Sequence, residues 1–119
     1  MLSLPLPVRV FLCTEPADMR RSFDGLAQLV REFLGADPLS GHLFVFRSKR
    51  GDRVKLLYWM GDGLAIWYKR LEKGSFRFPA VTGDGHGVEI RAADLAMLLD
   101  GVDWQRVERQ QRYQRPAPV

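Results

Sequence analysis

Nine lysines and arginines crowd between positions 47 and 77: Arg47, Lys49, Arg50, Arg53, Lys55, Lys69, Arg70, Lys73 and Arg77, against only Asp52, Asp62 and Glu72. That stretch carries +6, more than the +4 of the whole 119-residue chain. A guanidinium presents a planar fork that takes two oxygens of a phosphate, and an ammonium is a compact point charge beside it. The chemistry on offer is therefore the binding of an anion. A second basic run closes the chain, where Arg106, Arg109, Arg112 and Arg115 face only Glu108, so the remaining residues sum to −5. A basic face on a near-neutral body suits a polyanion, an acidic protein surface or an anionic membrane.

Catalytic signals are weak by comparison. His42 and His86 lack the spacing of metal ligands, and His42 reads as a hydrogen-bonding residue at the start of a strand. Asp84, Asp94, Asp100 and Asp103 show no metal-site spacing either and read as caps and solvent contacts. The glycines of GDGHG (83–87) are not followed by a phosphate-loop lysine, so the segment reads as a loop. Cys13 is the one cysteine, with no activating base in view; it excludes an internal disulfide and reads as a small buried residue. No catalytic residue, metal ligand or cofactor is assigned, and the chain is expected not to be an enzyme.

The elements that must position the cations are legible around them. His42–Arg47, Arg53–Met60 and Leu64–Leu71 are rich in aromatic and β-branched residues, and SKRGD and GDG between them are turn sequences, which is the pattern of an antiparallel meander. Ser75–Phe78 reads as a short fourth strand ended by Pro79, Val8–Cys13 as a strand before the meander, and Val88–Arg91 as a brief one after it. One helix is expected from Met19 or Ser22 to Leu34, with Asp18 or Ser22 as its cap, Gly35 as its stop, and Phe23, Leu26, Ala27, Val30, Phe33 and Leu34 as its apolar stripe. A second helix is expected over Ala92–Asp100.

Both faces of the meander are apolar: Leu43 and Val45 oppose Phe44 and Phe46, and Val54 and Leu56 oppose Leu57 and Trp59. One helical stripe covers one face, and the other face needs the second helix, the N-terminal strand or another chain. Trp59 and Trp67 are the candidate partner-binding residues there, sharing a face if the GDG turn sets the simple register. The aromatic side chains could also stack bases, although core packing is the commoner use. The expected fold is α+β: one domain over 1–105, a mostly antiparallel sheet of four to six strands, two helices packed mainly on one face, and a basic tail over 106–119. No apolar run approaches the length of a membrane span, and the proline-interrupted MLSLPLPV does not read as a signal peptide.

DMRRSFDGLAQLV (Asp18–Val30), DPLSGHLFVF (Asp37–Phe46), RGDRVKLLYW (Arg50–Trp59), GDGLAIWYKRLEKGSFRFP (Gly61–Pro79) and LLDGVDW (Leu98–Trp104) together resemble the accessory-protein family of insertion sequence 66 elements, known as TnpB or the second-open-reading-frame protein. The chain departs from the family pattern at Glu15-Pro16, at Met60 and at Phe78. The resemblance implies a role in DNA transposition beside a separate, larger transposase, in the bacterial cytoplasm, and supplies no catalytic residues. Two readings follow. In one, the nine central cations contact phosphates of the element ends. In the other, Trp59 and Trp67 dock the transposase or another copy of the chain.

Overall fold

The protein is described here by a computed structural model covering residues 8–79 and 85–101. Five strands form one sheet: β1 (Val10–Cys13), β2 (Leu43–Arg47), β3 (Arg53–Trp59), β4 (Leu64–Arg70) and β5 (Gly87–Ile90). Their order is β4-β3-β2-β1-β5, with helices α1 (Phe23–Phe33) and α2 (Ala92–Leu99) packed on the sheet. Only β1 and β2 run parallel, and α1 is the crossover that a parallel pair requires. All other neighbours are antiparallel, so the fold is α+β with a mostly antiparallel sheet, as expected.

The placement of the helices differs from expectation, because they lie on opposite faces. Val10, Leu12, Leu43, Val45, Val54 and Leu56 pack with Leu95, Leu98 and Leu99 of α2. The alternate residues Phe44, Phe46 and Leu57 pack with Leu26, Ala27, Leu29 and Val30 of α1. The reason lies in β2, where Leu43, Phe44, Val45 and Phe46 are all fully buried. Two helices on one face would leave half of those side chains in water, at a cost of about 25 cal/mol for each Å² of apolar surface exposed.

Three smaller differences have local causes. Phe23 and Phe33 are exposed and Leu29 is buried instead, because the helical stripe centres on Leu26 and Val30. Ser22 occupies the N-cap of α1 without a side-chain bond, while the Asp18 carboxylate accepts from the backbone N–H and guanidinium of Arg20. Residues 75–78 do not form a strand. There the Phe76 N–H donates to the Gly51 carbonyl at 2.7 Å, and the ring enters the core beside Val54. Gly51 takes φ +80°, a left-handed conformation that the turn between β2 and β3 requires. Trp104 and the arginine-rich tail lie outside the described residues.

Phe76 is therefore a core residue on an irregular segment. Phe76→Ala is expected to destabilise the fold by ~3–5 kcal/mol in urea unfolding. A loss below about 1 kcal/mol would mean that the segment is a loose surface loop.

Candidate nucleic-acid interface

Strand direction gathers the charges. With β1 parallel to β2 and the other neighbours antiparallel, the ends of β1, β2 and β4 and the starts of β3 and β5 all lie at one end of the sheet. Three connecting segments meet there and are tied by backbone bonds. The Ala17 N–H donates to the Arg47 carbonyl at 2.9 Å, and the Leu71 N–H to the Asp52 carbonyl at 2.7 Å. The turn itself is braced by Ser48, whose hydroxyl donates to Asp52 and accepts from the Arg53 N–H, each at 3.1 Å.

The strand ends and connecting segments here carry Arg20, Arg21, Arg47, Lys49, Arg50, Arg53, Arg70, Lys73 and Arg77 against Glu15, Asp18, Asp52 and Glu72, with Asp24 in the first turn of α1 and Asp100 just after α2 as two further acids nearby. The opposite end carries Arg9 and Arg91 against Asp37, Asp62, Glu89 and Asp94. The sheet is thus electrically polar along its strands. Arg20 and Arg21 were not among the expected residues, since they precede α1 and lie outside the 47–77 stretch. The parallel pairing of β1 with β2 brings them there, since they follow a strand that ends beside the end of β2.

The expected cations divide by location. Lys49, Arg50 and Lys73 are exposed and make no ion pair among the described residues. Arg70 is exposed and pairs with Glu72 at 3.2 Å, and Arg77 is exposed. Arg53 stands directly opposite Arg70 across β3 and β4, a like-charge pairing that sheets normally avoid. Its Nη1 donates weakly to the Tyr68 hydroxyl at 3.5 Å, and its buried Nε has no hydrogen-bond partner. Arg47 is more structural, donating to the Thr14 carbonyl at 2.9 Å with its guanidinium beside the Phe78 ring.

Two of the expected cations are bound to backbone carbonyls. Lys55 is buried on the α1 face, where its ammonium donates to the carbonyls of Met19 and Arg21, both at 2.8 Å, and lies 4.7 Å from the centre of the Tyr68 ring. Lys69 donates to the Leu99 carbonyl at 2.9 Å, at the end of α2 where the helix dipole favours a cation. Both sit within strands, under a helix, whereas the open cations sit in or beside turns. Trp59 and Trp67 are also separated. Trp67 pairs with Leu56 on the α2 face and Trp59 pairs with Leu64 on the α1 face, so the two indoles do not form one surface.

The remaining reactive groups have local roles. His42 accepts the Arg9 N–H through Nδ1 at 3.0 Å. Asp94 accepts from the Arg91 N–H and guanidinium at the start of α2. Burial pushes the Cys13 thiol up from its ordinary pKa, making it a poor nucleophile. Among the described residues no three His, Cys, Asp or Glu side chains gather into a metal-binding group, and no helix is long and apolar enough to cross a membrane.

These features define a small α+β protein with a basic end to its sheet. The chain belongs to the IS66 Orf2 like protein family, which it matches over residues 8–109. It is 42% identical over 112 residues to the uncharacterized protein y4jC of Sinorhizobium fredii (strain NBRC 101917 / NGR234), covering 94% of this chain and 93% of that protein. It is 41% identical over 97 residues to the uncharacterized protein y4hO of the same organism, covering 82% and 83% respectively. No solved structure matches it. Membership of the family makes this a transposition-associated accessory protein and relates it to no known enzyme.

Lys55→Met is expected to destabilise the fold by ~1.5–3 kcal/mol, because two carbonyls lose a charged donor. Lys49→Met is expected to change stability by less than ~0.5 kcal/mol. Urea unfolding of both variants checks the division, and equal effects would contradict it.

Proposed function

We propose that the chain is a non-enzymatic accessory protein that binds the DNA of its element through the basic end of the sheet and so assists a separate transposase. The observation that carries this reading is the polarity of the sheet. Nine cations meet six acids at one end, counting Asp24 and Asp100 of the adjoining helix termini, and two cations meet four acids at the other. Lys49, Arg50, Arg53, Arg70 and Lys73 are the residues expected to reach phosphates, with Arg20 and Arg21 flanking them. Lys55 and Lys69 act indirectly by holding the helices. Contacts of this kind fix position on the duplex, and base-specific readout needs further groups. The reading places the chain in the bacterial cytoplasm, where the element's DNA resides.

The outer edge of β4 favours a second reading, a protein adaptor. Leu64, Ile66 and Trp67 are half-buried there and Tyr68 is exposed, and no neighbouring strand pairs with that side among the described residues. An added strand from the transposase or from another copy of the chain would complete the ladder. A complex with the transposase that survives high salt and is lost in Ile66→Pro, with the fold retained, would favour the adaptor.

The DNA reading is tested by fluorescence anisotropy with element-end and scrambled duplexes over a range of salt. Five phosphate contacts predict that log K falls by about 4.5 for each tenfold rise in salt. No binding at low salt, or an affinity independent of salt, would overturn the reading.

A further inference from the structure

Beside the β2–β3 turn lies an open cavity of about 310 Å³, bounded by Asp18 and Arg20 on one side and by Lys49, Arg50, Asp52 and Arg53 on the other. Its two carboxylates are already engaged. Asp18 is held by the Arg20 guanidinium, which lowers its pKa to about 2, so it stays ionised and paired at neutral pH. Asp52 accepts the Ser48 hydroxyl and lies 4.0 Å from Arg53 Nε. Four cations against two acids leave the cavity with two excess positive charges, and Lys49 and Arg50 have no ion-pair partner among the described residues.

A further observation favours an anion here. The Arg53 Nε is shielded from solvent beside Asp52, so the exposed end of its guanidinium is the part that faces a ligand. Arg53 also stands opposite Arg70, and an oxyanion beside that pair would relieve their repulsion. The cavity floor is well supported for the purpose. The turn is braced by Ser48, and Gly51 packs where an added Cβ would lie 3.3 Å from the Ser75 Cβ.

We propose that this cavity is a discrete oxyanion site that seats one phosphate group, with Arg53 at its floor and Lys49 and Arg50 closing over it. The inference rests on the DNA reading for the source of that phosphate, a backbone group of the duplex, but the same chemistry would accept a free phosphate. Such a site would fix one phosphate relative to the sheet, while the other cations follow the backbone loosely.

The test is a ¹⁵N NMR titration of the full chain with inorganic phosphate, beside sodium chloride at matched ionic strength. The expected result is saturable shifts at the amides of residues 48–53 and 19–20 with phosphate alone. In the double variant Lys49→Gln, Arg50→Gln the phosphate affinity should fall by about tenfold, with the rest of the spectrum unchanged. Shifts that do not saturate, that chloride reproduces, or that survive in the double variant would overturn the site.

A fluorescein-labelled duplex separates the two claims. Phosphate that competes with the duplex while producing saturable shifts supports both. Duplex binding without a saturable phosphate shift overturns the site and leaves the DNA reading standing. Saturable phosphate binding without duplex binding keeps the site, assigns it to a free phosphate, and overturns the DNA reading.

Discussion

The sheet must be covered on both faces. Four consecutive residues of β2, Leu43 to Phe46, are fully buried, and a strand sends alternate side chains to opposite sides. One helix for each face is the arrangement that satisfies this, and α1 and α2 supply it. Where both faces are buried, charge can be carried only by the ends and edges of the sheet. The two lysines placed under helices show the rule by their behaviour. Lys55 and Lys69 are drawn onto backbone carbonyls that border α1 and end α2, which gives each ammonium the polar partners it needs away from water.

From that constraint the electrostatic character follows. The turns at one end hold most of the open cations, while the opposite end is acidic. Seven residues of β3 span about 23 Å, against a Debye length of about 8 Å at physiological salt. The acids at the far end therefore do little to cancel the field at the basic end. A modest net charge of +4 conceals a strongly polar molecule, and a polyanion approaching it meets the local field. Location, more than total charge, decides what this protein attracts.

Much of the fold was legible because its signals are local. The strands of the meander, the glycine turns between them and the stop of α1 at Gly35, with φ +60°, follow from period-two patterning and turn chemistry. The side of the sheet taken by each helix was not legible, since it depends on which of two apolar faces each stripe meets. The separation of Trp59 and Trp67 follows from the β3–β4 register, in which Leu56 opposes Trp67, and short-range patterning does not fix that pairing. Lys55 and Arg53 look alike in sequence, but one faces carbonyls beneath α1 and the other a cavity at the turn. Arg20 and Arg21 joined the site only through the parallel pairing of β1 and β2, a long-range contact.

The central claim is that the position of the charge governs binding, and two double variants of equal net charge test it most directly. Arg50→Gln with Lys73→Gln removes two cations from the basic end, and Arg9→Gln with Arg91→Gln removes two from the acidic end. At one fixed salt concentration, the first pair is expected to weaken duplex binding roughly tenfold and the second to leave it unchanged. Equal losses from both pairs, with both variants folded, would contradict the account and show that only the overall charge matters.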